Sequence, residues 1–215
     1  MDKKEIINAV KKARETAKKR SFTQSFDISV NYKEIDLKKI EPIEVVLDMP
    51  KGLDRKPKIC AFVDKSMIVK AKDAFDLAIL KDDFSKYNTP KQIRKLAGEY
   101  DIFVAQGNIM VDVAKYFGKF LAPRNKMPNP KLGHIFPADI DLKPIAEKIA
   151  RKQYVKIKKA PVTHLLVGTE KMSDEDIAEN INYSIDSIIS HLPGGKANIK
   201  SVYVKLTMGP VVRLM

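Results

Sequence analysis

The chain has 215 residues, 44% of them apolar, enough for a core in two modest domains or one large one and too many for wholesale disorder. Forty basic side chains against 27 acidic ones leave a net charge of +13, which points to a polyanionic partner, most commonly nucleic acid. No apolar run approaches the roughly 18 residues of a membrane-spanning helix, and the charged start Met1-Asp2-Lys3-Lys4-Glu5 is no signal peptide, so no membrane partner is expected.

In chain order, residues 3 to about 19 read as an amphipathic helix, with Ile6, Val10, Ala13 and Ala17 on its apolar face. Phe26, Ile28, Val30 and Tyr32 then alternate with Asp27, Ser29, Asn31 and Lys33, the period of a strand buried on one face. Ile43 to Leu47 gives a second strand, stopped by Pro50 and Gly52. Both suit an antiparallel sheet covered on one side by helices.

The pattern then changes. Ile59 to Val63 is continuously apolar, as in a strand buried on both faces of a parallel sheet. Cys60 lies inside it and reads as a small buried hydrophobe; it excludes an internal disulfide and fits a reducing, cytoplasmic setting. Helices are expected over Met67–Phe75, over Pro90–Ala97 with Thr89 as N-cap, and along the stripe Met110, Val113, Ala114, Phe117, with Ile79-Leu80 and Ile102–Ala105 as strands between them. This strand–helix repetition marks an open α/β sheet.

Gly118 to Gly133 holds three prolines, two glycines and four basic residues, and is expected to be a shaped surface loop throughout. A helix over Pro144–Arg151 follows, then the alternating pattern of Val155 and Ile157 returns. Ser173 caps a helix with Asp176 at the capping-box position, Pro193-Gly194-Gly195 ends it, and Ser201–Leu206 is the last strand. The expected fold class is therefore α+β in two domains. Residues 1–57 and 155–215 form a discontinuous α+β domain with an antiparallel sheet, and 58–154 form an inserted Rossmann-like α/β domain.

The residues offer no catalytic constellation. Val63 leads into Asp64-Lys65-Ser66-Met67 rather than G-x-G-x-x-G, and Gly194-Gly195-Lys196 follows a helix and lacks the spacing of a phosphate loop. His134, His164 and His191 are scattered, with no metal spacing, and read as structural or surface groups. No cofactor, no metal and no enzymatic activity are expected. Two short stretches remain. In Lys205-Leu206-Thr207-Met208-Gly209-Pro210 a strand ends in a hydroxyl, a flexible apolar side chain and a glycine. This is either an ordinary turn or a site where RNA can approach the backbone. In Arg20-Ser21-Phe22-Thr23-Gln24-Ser25, Phe22 breaks the register of the following strand, as an exposed stacking group or as a hydrophobic staple.

Together these stretches resemble the universal large-subunit ribosomal protein L one family, in its archaeal branch. The resemblance covers essentially the whole chain. It is carried by Pro123-Arg124 and Met127-Pro128-Asn129-Pro130-Lys131, by Thr207-Met208-Gly209-Pro210 and more loosely by Ser21 to Asp27. The resemblance implies a structural protein of the large ribosomal subunit, bound to its ribosomal RNA at the mobile stalk beside the exit-site tRNA. It also implies a translational repressor bound to its own messenger RNA, and a monomer when free. On the first domain it implies RNA contacts by Phe22, Ser25, Asp27, Lys159, Ser201, Thr207, Met208 and Gly209. The Pro123–Lys131 loop is expected to set the angle between domains. Lys158-Lys159-Ala160-Pro161 and Asn125 depart from the common bacterial pattern; Asn125 stands where a glycine is usual and tolerates positive φ. A general basic RNA chaperone and an anion-binding α/β enzyme are the competing classes.

Overall fold

The computed structural model describes residues 2–34, 43–87, 89–138, 140–157 and 160–215. The chain divides into two compact units, one of residues 1–55 and 151–215 and one of residues 56–150.

In the first unit, helix α1 (Lys3–Thr16) is capped by Asp2, whose carboxylate accepts from the Lys4 amide. The helix ends three residues short of the expected Lys19. Ala17 is already extended, and Gly209 lies so close that a side chain there would meet Ala17 at 3.2 Å. Strand β1 (Ser25–Tyr32) alternates as its sequence demands. Phe26, Ile28, Val30 and Tyr32 are buried, whereas Asp27, Ser29 and Asn31 face the other way. It pairs antiparallel on both sides, with β8 (Val162–Thr169) and β9 (Ile199–Leu206). A two-residue strand, β10 (Val212–Arg213), extends the sheet beyond β9, giving the order β10-β9-β1-β8. Strand β2 (Ile43–Asp48) does not join this sheet as expected; it forms a separate antiparallel ribbon with β7 (Lys152–Ile157).

Helix α6 (Asp174–His191) packs with α1 on one face of the four-stranded sheet, and its Ile177, Ile181, Ile185 and Ile188 fill the core. Ser173 caps the helix as expected, its Oγ accepting from the Asp176 amide and donating to the Asp176 carboxylate. Arg14 locks α1 to the β8–α6 turn by donating to the Glu170 and Met172 carbonyls and to Asp174, and its guanidinium lies 5.3 Å from the ring centre of Phe26. The opposite face of the sheet carries no helix of this unit's described residues.

In the second unit, β3 (Ile59–Val63) is buried at every residue. It lies between β4 (Leu77–Leu80) and β5 (Ile102–Gln106), with β6 (Ile135–Phe136) beyond β5. All pairs are parallel, in the order β4-β3-β5-β6. Cys60 and Phe62 face α3 (Pro90–Glu99) and α4 (Met110–Leu121), while Ile59, Ala61 and Val63 face α2 (Ile68–Ala74) and α5 (Lys143–Arg151). Helices on both faces explain why β3 reads as an unbroken apolar run. Phe62 lies within ring-contact distance of Phe84, Phe103 and Phe117. Burial pushes the Cys60 thiol far above its usual range, so it stays a thiol.

The expected loop from Gly118 is partly helical. Gly118–Leu121 completes α4, because Phe117 and Leu121 both reach the core and carry the helix past the glycine. Single 3-10 turns follow at Ala122–Arg124 and Pro130–Leu132, closed by Asn125 at φ 55° and Gly133 at φ 76°. Lys126 Nζ donates to the carbonyls of Ala97 (2.9 Å) and Tyr100 (2.6 Å) at the end of α3, where a cation complements the helix dipole.

The first unit depends on Asn180, which is wholly buried on α6. Its Nδ2 donates to the Gly52 and Val167 carbonyls at 2.8 and 2.9 Å, and its Oδ1 accepts from the Lys51 amide at 3.2 Å. Asn180→Leu removes three bonds and strands main-chain groups out of water, so an unfolding free-energy loss of about 3 kcal/mol is expected in urea titration. A loss below about 1 kcal/mol would mean that these groups find other partners.

Candidate nucleic-acid interface

The open face of the four-stranded sheet gathers most of the expected contact residues. Because cross-strand partners share a face, the register defines rows across it. Asp27 lies opposite Lys205 on β9 and Leu166 on β8; Ser29 lies opposite Tyr203 and His164; Asn31 lies opposite Ser201 and Val162. On the edge, Arg213 lies opposite Tyr203. The face is thus a mixture of cations, hydroxyls, an imidazole, a phenol ring and one carboxylate. The pairing of β1 with β8 shifts register between Phe26 and Asp27, a β-bulge that leaves Val167 of β8 as the extra residue beside the carboxylate.

Asp27 is partly buried, and that burial raises its carboxyl above the ordinary value; the charges of Lys205, His164 and Arg55 pull it back down but do not win. A partly desolvated carboxylate beside three cationic or protonatable groups remains an acceptor open to further donors from the hollow it lines.

At one end of this face the strand ends meet. The Thr207 amide donates to the Ser25 carbonyl at 3.0 Å, the Ser25 amide donates to Thr207 Oγ1 at 3.1 Å, and the same hydroxyl donates back to the Ser25 carbonyl at 3.3 Å. Met208 is half exposed, its amide donating to Gln24 Oε1 at 3.2 Å. A Cβ on Gly209 would meet the Ala17 and Leu206 side chains at 3.2 Å each, a tight fit. Phe22 is 49% exposed and joins none of the hydrophobic clusters of described residues, which does not fit a staple. Beside this patch, Arg14, Lys18, Lys19 and Arg20 line a concavity of about 480 Å³ that also reaches Gln24 and Glu170.

Phe22, Ser25, Asp27, Thr207, Met208 and Gly209 therefore share one end of the sheet. Ser201 does not. It lies six residues from Thr207 along β9, about 20 Å at strand rise, and its buried hydroxyl accepts from Asn31 Nδ2 at 3.0 Å. Lys159 lies outside the described residues. Pro123, Arg124, Met127, Pro128, Asn129, Pro130 and Lys131 all belong to the second unit. There Pro128 is buried, Arg124 donates to the Arg94 carbonyl and Asn129 caps the Lys131 amide.

Sequence reasoning missed Gln24, which is 2% exposed and organises the patch. It accepts from Met208, donates to the Lys18 carbonyl at 3.3 Å, and its own carbonyl accepts from the Glu170 amide at 2.9 Å. A glutamine in a polar stretch gives no signal of burial. His164, Tyr203 and Lys205 were also missed as a group, although the alternation along β9 put Tyr203 and Lys205 on the face opposite Val202, Val204 and Leu206. Among the described residues no cluster of histidine, cysteine and carboxylate groups suits a metal, and no helix is long and apolar enough to cross a membrane.

Residues 10–210 match the ribosomal protein L1p/L10e family. The chain is 43% identical to the large ribosomal subunit protein uL1 of Pyrococcus abyssi, covering 99% of this chain and 96% of that one. It is 42% identical to the uL1 proteins of Pyrococcus horikoshii, covering 99% and 96%, and of Methanothermobacter thermautotrophicus, covering 98% and 99%. A family match over residues 10–210, with relatives about 40% identical over nearly the whole chain, leaves one conclusion: the chain belongs to the ribosomal protein L1p/L10e family.

Proposed function

We propose that this chain is a structural component of the large ribosomal subunit that binds ribosomal RNA at the mobile stalk through the open sheet face and strand-end patch of its first unit. The observation that carries the reading is the sheet itself. It is covered by helices on one side and set with Asp27, Lys205, Tyr203, His164 and Arg213 on the other, next to the basic end of α1. Lysine and arginine supply salt-dependent attraction to phosphates. Selectivity comes from shape and from hydroxyl contacts, since the deep groove of an RNA helix hides its base edges. The names of the similar archaeal proteins support the ribosomal setting.

The same face serves a similar fold in the protein's own messenger RNA, which makes the chain a translational repressor, and the free protein is a monomer. Exit-site tRNA is a further partner of the chain in this reading. The Pro123–Lys131 loop, stiffened by the Lys126 anchor, sets the angle between domains.

Competition between a large-subunit stalk RNA fragment and bulk tRNA, at moderately high salt, tests the proposal. A preference for the stalk fragment of several orders of magnitude is expected. Equal binding that vanishes with salt would instead mark a general basic RNA chaperone.

Two substitutions sharpen the site. Thr207→Val is expected to weaken stalk binding by about 1–2 kcal/mol, through loss of a hydroxyl partner. Because that hydroxyl also ties Ser25, a melting curve must accompany the titration; unchanged affinity with an intact fold would remove Thr207 from the contact set. Asp27→Asn should weaken binding and yet leave the fold as stable or more so at pH 7. The sign follows from the raised carboxyl: burial penalises the charged form, so the penalty is absent below about pH 4 and grows as pH rises through the raised value. Equal melting temperatures for the two proteins at pH 4 and a lower one for the wild type at pH 7 are expected. The reverse order at pH 7 would show that the carboxylate is structural.

A further inference from the structure

We propose that the hollow in the middle of the open sheet face, ringed by Asp27, Ser29, His164, Tyr203, Lys205 and Val211, receives one unpaired guanine nucleotide, its base lying on the Tyr203 ring. The inference rests on the RNA-binding reading above and names the ligand of one part of that face.

The hollow measures about 540 Å³, within the range of small-molecule sites. His164, Ser29 and Tyr203, in one row across β8, β1 and β9, line it, and Arg213 continues the row on β10. Small Ser29 separates the two rings by two strand spacings, about 10 Å, which leaves the width of a base between them. The phenylalanines of the second unit stack on one another, whereas no described phenylalanine or tyrosine ring lies against Tyr203. A part-exposed aromatic ring at the centre of an open antiparallel sheet, with cations at its margin, is the arrangement that stacks unpaired bases. A base inside a helix has both faces covered by its stacked neighbours, so only an unpaired one can lie on the ring.

The adjoining row supplies the base preference. Asp27 stands opposite Lys205 and diagonally one row from Tyr203, and both line the same hollow. Guanine presents two donors side by side on its pairing edge, N1–H and the N2 amino group, and a carboxylate can accept from both. Uracil presents one donor between two acceptors, and adenine and cytosine one amino group beside a ring acceptor, so each matches the carboxylate less well. Lys205 and Arg213 are placed for the phosphate on either side. This accounts for an acidic group on a surface that binds a polyanion, and for its partial burial.

The test uses the full chain and short single-stranded RNA hexamers at physiological salt, six uridines against five uridines and one guanosine. Binding is read by fluorescence anisotropy of an end label. The guanosine-containing hexamer should bind about ten-fold tighter, Tyr203→Leu should abolish that advantage, and Tyr203→Phe should keep it, since one base–aromatic stack is at stake. Equal binding of the two hexamers, or an unaffected Tyr203→Leu variant, overturns the pocket. If Tyr203→Leu does not fold, the Tyr203 ring resonances of the wild-type protein decide: an upfield shift on titration with the guanosine hexamer supports the stack, and unmoved resonances reject it. A protein that prefers stalk RNA but ignores the guanosine loses only the pocket, whereas one without stalk preference loses the ribosomal reading whatever the hexamers do.

Discussion

The period of two along β1 is the constraint on which the first unit depends. One set of its side chains, Phe26, Ile28, Val30 and Tyr32, closes the core under α1 and α6. The other set, Asp27, Ser29 and Asn31, is thereby forced onto the open face. A slip of one residue would bury a carboxylate and expose a phenylalanine, so the hydrophobic effect that fixes the core also fixes the polar surface. Since β1 is paired on both sides, the same register carries over to β8 and β9, and hence to His164, Tyr203 and Lys205. The interface needs no separate positioning device except at its end. There the strands stop pairing, and Gln24, Thr207 and Ser25 bond across the gap.

Net charge is a poor map of where such a protein meets an anion. Many of the cations behind the +13 are held by the fold itself. Arg14 satisfies two main-chain carbonyls and Asp174, Lys126 two carbonyls at the end of α3, and Lys156 the carboxylate of Glu44. Lys65 and Lys81 face Asp82 and Asp112 on exposed surface, where such pairs contribute little to stability. Other cations sit together beyond a helix end, as Lys18, Lys19 and Arg20 do, and line one concavity. Asp27 shows the converse: burial makes its charge costly to the fold, as expected of a group whose partner arrives only with the ligand.

The sequence revealed what periodicity can express. The alternation of β1, the unbroken apolar run of β3 with Cys60 inside it, the Ser173 cap of α6 and the positive φ of Asn125 were all legible, because each is a local rule with a single answer. β6 and β10 were not, since two residues carry no period and their pairing is decided by distant strands. The helical reading of Gly118–Leu121 was lost to a glycine and a nearby proline, although Phe117 and Leu121 continue the apolar stripe; tertiary burial outweighed propensity there. Strand β2 was legible as a strand, but its partner was not, because alternation states which face is buried and not which neighbour shares the ladder. At the site, the expected residues were those that terminate strands with unusual types. The central row of Tyr203, Ser29 and His164 needed the register of three strands, which no single stretch of sequence contains.

The second unit has the chain order of a phosphate-binding α/β fold, and its local chemistry explains why the resemblance stops at the fold. In such folds the turn after the first strand offers free backbone N–H groups to an anion at a helix start. Here that turn follows β3 and is filled from within. The Asp64 carboxylate accepts from the Lys65 amide at 2.8 Å, and the Asp64 amide donates to the buried Gln106 side chain at 3.0 Å. The Asp64 and Lys65 amides are thus taken, and a carboxylate stands at the start of the turn. Gln106 performs this closure from the end of β5, on the other side of the crevice where the strand order reverses, so the same bond that blocks the site ties the two central strands together. Two side chains thus close the phosphate crevice of a Rossmann-like sheet, which is why chemistry has to be argued from residues and not from topology.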